Sequence, residues 1–224
     1  MLQDYLSNKG LSAWILGTAL FSLFTAWITI MLWNSYRSGL PLTTRVARLS
    51  LADGVTLGRG LLIAGAAGFL FLSRPVGFWG WLPGSLYLCA VFSDYADGYL
   101  ARRRNSASDF GAALDRNVDA LATLVGSILG ITWGILPAWY VIVGFGFYIF
   151  SCAVWVRKKR NKLVRGLPYS NYRRIVGATN TLYIGFALLP FSPTKWASFL
   201  SPALAFLVLW SFWKDWRHVS SPEG

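Results

Sequence analysis

Residues 93–120, SDYADGYLARRRNSASDFGAALDRNVDA, decide how the chain is interpreted. This stretch holds five of the nine acidic residues of the protein, although the segments on both sides are almost uniformly apolar. An aspartate at the centre of a membrane helix costs roughly 2.5 to 3.5 kcal/mol, so carboxylates in such surroundings are usually functional. The cluster therefore predicts a bound cation that compensates the negative charge.

The spacing of the carboxylates predicts two helix faces that converge on one polar site. Asp94 and Asp97 are three residues apart, Asp115 and Asp119 are four apart, and each pair therefore shares a face of a helix. Small residues stand one turn from these aspartates: Gly98, Ala101 and Gly111. They leave room for a ligand against the backbone. Carboxylates without nearby His or Cys favour Mg²⁺ or Mn²⁺ over zinc.

Composition places this cluster in a membrane protein. The 224 residues are 55% hydrophobic and only 13% charged, and their mean hydropathy is +0.47. Residues 11–33 contain no charge, which predicts a retained membrane span because the run is too long for a signal-peptide core. Six further spans are predicted at 56–73, 79–101, 109–133, 137–156, 175–191 and 196–213. The fold class is therefore an all-α integral membrane protein.

The basic residues predict the orientation of these spans. Sixteen of the 21 Lys and Arg residues fall in four regions, 34–55, 102–104, 157–174 and 214–217, which seven spans place on one side. By the positive-inside rule that side is cytoplasmic, with the N-terminus outside and the C-terminus inside. The net charge of +12 then reflects loops facing anionic lipid, and no nucleic-acid partner is expected. Residues 34–55 form either an amphipathic surface helix or a plain basic loop.

Written as a pattern, the central stretch resembles the signature of the CDP-alcohol phosphotransferase family. The pattern is Asp94-x2-Asp97-Gly98-x2-Ala101-Arg102-x8-Gly111-x3-Asp115-x3-Asp119, and every fixed position is filled. The resemblance continues upstream, where Thr56 and Arg59 match the start of the first core span of the family. It implies a six-helix core preceded by a surface helix, so residues 1–33 hold an additional N-terminal transmembrane helix without an assigned role.

The resemblance implies a phospholipid-biosynthesis transferase. An acceptor hydroxyl attacks the β-phosphorus of a CDP-linked donor, most often CDP-diacylglycerol, and CMP leaves. Asp94, Asp97, Asp115 and Asp119 would hold Mg²⁺ or Mn²⁺, as two ions, and Asp119 would act as base on the acceptor. The nucleotide and its diphosphate would be bound by Gly98, Ala101, Arg102, Gly111, Thr56 and Arg59. The resemblance also implies a catalytic membrane domain over 56–213 and a homodimer. The distribution of the basic residues predicts that the site and the tail over 214–224 face the cytoplasm.

The basic segment 157–174 leaves two interpretations open. It is either an anion pocket for a phosphorylated acceptor, with Arg165, Arg173 and Arg174 as candidates, or a loop that sets topology and touches anionic lipid. Uncharged acceptors are equally compatible with the motif. Arg59 is similarly open, because an arginine near a helix end either reaches toward the interface or points at the acidic site.

Three other interpretations of the aspartates remain. An intramembrane prenyltransferase also uses an Asp-rich diphosphate site, although the Asp97-Gly98 and Ala101-Arg102 pairs argue against it. A cation transporter would be expected to show inverted repeats, which the sequence lacks. A non-catalytic relative would be expected to have lost an aspartate, and none is missing. In a purely structural role the aspartates would form a polar network buried against arginines, for example Asp115 with Arg102.

Overall fold

The computed structural model describes residues 8–38, 51–104, 109–168, 170–192 and 194–221. Of these, residues 8–9, 35–38, 51–52, 94–104, 109 and 194 are described by backbone alone. The described part is all-helical and contains no strand. Four of its helical segments are long and apolar enough to cross a membrane: Gly10–Asn34, Asp53–Phe71, Ala138–Lys159 and Lys195–Ser220.

Seven long helices follow one another through the described segments. They are α1 (Asn8–Ser38), α2 (Leu51–Ala67), α3 (Trp81–Arg104), α4 (Asp109–Thr132), α5 (Val141–Lys159), α6 (Asn171–Ala187) and α7 (Thr194–Ser220). Short 3₁₀ turns at Gly68–Phe71, Gly77–Gly80 and Ala138–Tyr140 extend α2 and introduce α3 and α5. Each predicted span thus coincides with one helix.

Residues 34–55 do not form one separate surface element, because both ends of this region belong to long helices. Residues 34–38 continue α1, and 51–55 already belong to α2, whose first turn contains Asp53. A carboxylate in the first turn is stabilised by the partial positive charge of the helix N-terminus, which explains an earlier start than the apolar run suggests. The predicted amphipathic helix around Arg45 and Arg48 lies outside the described residues.

Where the connections between helices are described, short turns reverse the chain. After α4, Gly134 adopts φ +67°, a conformation that favours glycine, and Ile135 N–H and Leu136 N–H donate back to the Gly130 carbonyl oxygen at 2.8 and 2.9 Å. Ser170 opens α6 by accepting a bond from the Arg173 N–H at 3.4 Å. Helices joined in this way run antiparallel, so the ends of α1, α3, α5 and α7 meet the starts of α2, α4 and α6.

The core lies where α2, α3, α4 and α6 pack together. Tyr87, Leu121, Leu129 and Ile184 are almost completely buried there. Small residues allow the close approach of these helices, since an added Cβ at Gly126 would lie 2.7 Å from the Tyr87 ring. Outward faces carry large apolar side chains, such as Phe78 and Phe199, as expected for a surface in contact with lipid tails.

The additional helix α1 packs on the helices that form the catalytic domain predicted from the sequence. The Trp14 indole Nε1–H donates to the Gly65 carbonyl oxygen at 3.1 Å, and its ring meets Phe69 edge-on. At the other end, Trp33 meets Phe110 edge-on at 5.1 Å between centroids. This second contact belongs to a small buried cluster of Phe110, Leu114 and Val118. Helix α1 therefore packs along α2 and touches α4 beside its aspartates.

Candidate active site

Three helices bring the candidate site residues to one end of the bundle. Helix α2 supplies Thr56 and Arg59 from its first turns, and α4 supplies Asp115 and Asp119. Helix α3 ends with the other half of the motif, and its unbroken helical backbone keeps positions 94 and 97 one turn apart. The side chains of this half lie outside the described part: Asp94, Asp97, Ala101 and Arg102. Gly98 occupies the same last turns of α3.

The defining contact is a fork between Arg59 and the two α4 carboxylates. Arg59 Nη1 donates to Asp115 Oδ1 at 2.6 Å, and Arg59 Nη2 donates to Asp119 Oδ1. A planar guanidinium offers two parallel N–H groups, which match carboxylates one helical turn apart. Of the two interpretations of Arg59, the structure shows the one in which it points at the acidic site.

Burial differs sharply between the partners of this fork. The Arg59 side chain is 5% exposed, whereas those of Asp115 and Asp119 are 42% and 49% exposed. The cation thus lies behind the carboxylates, against the protein interior, and the carboxylates form the accessible rim. An ion or a substrate phosphate approaching from solvent meets Asp115 and Asp119 first.

Sequence reasoning missed Asp53 as a member of this region. Asp53 is 4% exposed, Thr56 6% and Arg59 4%, so the first turns of α2 bury three polar residues in a row. The signal was present in the sequence, because the three residues stand at the same three-residue interval that singled out Asp94 and Asp97. Gly111 is partly exposed in the first turn of α4, one turn before Asp115, as the motif requires.

Close packing of α1 fixes the helix that carries Arg59. Gly60 follows Arg59, and a Cβ added there would lie 2.9 Å from Thr25 Cγ2 on α1 and 3.9 Å from Val118 Cγ2 on α4. Thr25 is itself buried, and its hydroxyl donates to the Phe21 carbonyl oxygen at 2.8 Å. The three helices therefore meet at Gly60, directly behind the fork.

The residues of the fork fit a divalent cation. The structure places a cation, the Arg59 guanidinium, on both carboxylates, so their orientation already suits a shared positive charge. Their donor atoms are carboxylate oxygens, the type that Mg²⁺ and Mn²⁺ prefer. Where side chains are described, no group of three or more His, Cys, Asp or Glu residues is close enough to hold a metal. The remaining predicted ligands, Asp94 and Asp97, lie outside that part.

The basic segment after α5 is fastened to the end of α7. Arg157 donates through Nε to the Leu163 carbonyl oxygen and through Nη2 to that of Ser220, both at 2.8 Å. Arg165 N–H donates to the Val219 carbonyl oxygen at 3.4 Å. We call these contacts the C-terminal clasp; they join the α5–α6 connection to the last turn of α7.

The three acceptor candidates occupy different positions in this segment. Arg173 is engaged through Nη1 with Asp215 Oδ1 and through Nη2 with the Pro168 carbonyl oxygen, both at 3.0 Å. Arg174, the next residue of α6, is exposed, and Arg165 is partly exposed within the clasp. Arg157 and Arg173 therefore hold the connection between α5 and α6 in place, a structural role in addition to any effect of the segment on membrane topology.

Comparison with known proteins identifies the class to which this architecture belongs. The sequence model of the family described as CDP-alcohol phosphatidyltransferase matches residues 49–213. The chain belongs to this family of enzymes, as its aspartate motif predicts. The prenyltransferase and transporter interpretations are thereby set aside. With four helices able to cross a membrane, the protein is a multi-pass membrane protein.

Individual relatives differ in the reactions their names describe. The chain is 27% identical to a CDP-diacylglycerol–glycerol-3-phosphate 3-phosphatidyltransferase of Arabidopsis thaliana over 175 residues, which cover 70% of this chain and 73% of the relative. It is 46% identical to a CMP-forming cardiolipin synthase of Streptomyces coelicolor over 65 residues, 29% of each chain. It is 38% identical to a phosphatidylinositol phosphate synthase of Streptomyces avermitilis over 103 residues, covering 46% of this chain and 37% of the relative.

Proposed function

We propose that the protein transfers the phosphatidyl group of CDP-diacylglycerol to glycerol 3-phosphate. The observation that carries this is the fork of Arg59, Asp115 and Asp119, in a chain whose family model spans the whole site. The choice of acceptor is supported by the Arabidopsis relative, whose match covers most of both chains. The basic segment 157–174, at the same end of the bundle, suits a phosphorylated acceptor.

The reaction breaks a phosphoanhydride bond and forms a phosphate ester bond. The acceptor hydroxyl oxygen bonds to the β-phosphorus of the donor, and the bond between that phosphorus and the bridging oxygen breaks. CMP departs with the bridging oxygen, and the hydroxyl proton passes to Asp119. Mg²⁺ or Mn²⁺, bound by Asp94, Asp97, Asp115 and Asp119, would neutralise charge that develops on the diphosphate.

Residues of the chain supply the remaining functions. Arg59 lies behind Asp115 and Asp119 and fixes their side chains in one orientation, so that little reorganisation is needed during reaction. Asp119 is half-exposed and therefore within reach of an incoming hydroxyl. Arg165, Arg173 and Arg174 would receive the acceptor phosphate. The positive-inside rule places this end of the bundle in the cytoplasm.

The proposal is tested by measuring CMP release from purified protein. CDP-diacylglycerol is supplied with Mg²⁺ or Mn²⁺ and, separately, glycerol 3-phosphate, inositol phosphate, inositol, serine or phosphatidylglycerol. Release that requires both glycerol 3-phosphate and the metal supports the proposal. If another acceptor triggers CMP release, that acceptor takes the place of glycerol 3-phosphate in the proposal. If CMP is still released in EDTA, the reaction does not require the metal.

Asp119→Asn tests the assignment of the base. We expect turnover to fall by about 10²- to 10⁴-fold, the usual contribution of a positioned acid or base, while the thermal unfolding temperature stays within a few degrees. Asn117→Ala is the matched control, because the Asn117 side chain lies on the same helix and donates to the Ala113 carbonyl oxygen at 2.8 Å. Normal turnover in Asp119→Asn would exclude Asp119 as the base.

A further inference from the structure

A stack of aromatic rings runs along the outer face of α7 and ends on a cation. The Phe206 and Trp210 rings are stacked with centroids 6.0 Å apart, and Trp210 and Trp213 are stacked at 4.7 Å. Arg217 Cζ then lies 4.9 Å from the centroid of the Trp213 ring. All three rings remain substantially exposed, at 64%, 42% and 45%. We call Phe206, Trp210, Trp213 and Arg217 the α7 stack.

Further positive charge lies beside the polar end of this stack. Lys214 Nζ lies 5.0 Å from the centroid of the Tyr172 ring on α6, and His218 follows Arg217. With Trp210 and Trp213, these three residues line an open groove. The neighbouring acidic residue Asp215 bonds to Arg173 on α6. The groove is therefore apolar at one end and cationic at the other.

The groove is separate from the candidate active site. Helix α7 packs on α5 and α6, whereas Arg59, Asp115 and Asp119 lie on α2 and α4. The groove lies at the same end of the bundle, because the last turn of α7 is clasped to the α5–α6 connection. Its residues thus stand where the apolar face of α7 meets the basic end of the protein.

We propose that the α7 stack and Lys214 bind one anionic phospholipid. The groove and the adjoining stack match such a molecule along its length: an acyl chain fits against Trp210 and the Phe206 ring stacked on it, and a phosphate fits between Arg217 and Lys214. A guanidinium held beside an indole ring keeps N–H groups available, and these can form two bonds to one phosphate. The ring beneath it also excludes water, which strengthens the attraction between the cation and the phosphate.

The experiment measures thermal unfolding of the full-length protein in detergent with added lipid. Phosphatidylglycerol should raise the unfolding temperature by roughly 5 °C at saturation, and phosphatidylcholine should not. Arg217→Gln/Lys214→Gln should weaken phosphatidylglycerol binding about tenfold and leave the lipid-free unfolding temperature within a few degrees. Lys158→Gln/Lys159→Gln also removes two positive charges, but from the end of α5, and this variant should still be stabilised by phosphatidylglycerol.

Trp213→Leu separates the stack from simple charge attraction. It keeps every cation but removes the ring beneath Arg217, and we expect it to weaken phosphatidylglycerol binding severalfold. Inorganic phosphate should give no rise in unfolding temperature, since it lacks the acyl chain.

Four outcomes would overturn the proposal. Both lipids, or inorganic phosphate and phosphatidylglycerol, could raise the unfolding temperature equally. The two charge-matched double variants could lose equal phosphatidylglycerol binding, or a second copy of the chain could cover the stack. The last would appear in light scattering as a dimer that dissociates in Trp213→Leu.

Discussion

Arg59 and Asp119 stand sixty positions apart in the chain, yet their side chains form an ion pair at the candidate site. The buried member is the cation and the accessible member is the carboxylate. Because a buried charge without a partner is costly, the position of Arg59 depends on the α4 carboxylates as much as their orientation depends on it. A substitution of Arg59 should therefore also change the orientation of the α4 carboxylates.

Arg59→Gln should reduce turnover and at the same time strengthen Mn²⁺ binding. Turnover should fall about 10²-fold, because the carboxylates lose the fork that orients them. Removing a positive charge from beside Asp115 and Asp119 should lower the Mn²⁺ dissociation constant about tenfold, as measured by paramagnetic resonance titration. Arg59→Lys keeps the charge but not the fork, so it should lose turnover without gaining affinity. Weaker Mn²⁺ binding in Arg59→Gln would show that Arg59 does not compete with the metal.

Gly60→Ala should destabilise the protein even though alanine favours helices. The new Cβ would lie 2.9 Å from Thr25 Cγ2, and Thr25 is buried and cannot move freely. We expect a cost of about 1 to 3 kcal/mol, measured by thermal or denaturant unfolding in detergent. Thr25→Ser keeps the hydroxyl but removes the clashing methyl. Combined with Gly60→Ala, it should therefore restore most of the lost stability.

Gly58→Ala is the matched control for Gly60. The space around Gly58 is open within 4 Å, so the same substitution should stabilise α2 by up to about 1 kcal/mol. If both alanine variants behaved alike, the packing of α1 against α2 would not be what restricts position 60.

Arg173→Gln and Asp215→Asn distinguish an acceptor contact from a structural pair. If Arg173 binds the acceptor phosphate, its loss should raise the KM for glycerol 3-phosphate about tenfold and leave that for the donor unchanged. Asp215→Asn frees the guanidinium from its partner at 3.0 Å and should leave the acceptor KM unchanged or lower it. An equal rise in both variants would assign Arg173 to holding the α5–α6 connection alone.

Tyr140→Phe should lower the free energy of unfolding, because it removes the hydrogen bond to the buried Asn180 side chain. The Tyr140 hydroxyl donates to Asn180 Oδ1 at 2.5 Å, and both residues are almost fully buried. Its removal should cost about 1 to 3 kcal/mol in unfolding, and a second change, Asn180→Leu, should recover part of this. Tyr148→Phe serves as the control, because the buried Tyr148 hydroxyl has no partner among the described residues.

The helices and half of the site could be predicted from the sequence because their signals are local. An uncharged run of 23 residues defines α1, and the four-residue interval places Asp115 and Asp119 on one face. The partner of these carboxylates could not be chosen in this way, since Arg59 lies 56 positions from Asp115 and helix periodicity does not extend across a turn. The contact between Thr25 and Gly60 is equally non-local: α1 is apolar on every side, so its sequence does not mark a packing face.

The C-terminal clasp has a consequence for the order in which the protein is built. The connection between α5 and α6 is held by the carbonyl oxygens of Val219 and Ser220, which are synthesised after the rest of the seven helices. Arg59, Asp115 and Asp119 are synthesised much earlier and can meet while the chain is still growing. The basic end of the bundle is therefore closed only after α7 has been synthesised, and a chain truncated before Val219 would carry its aspartates but leave this connection unfastened.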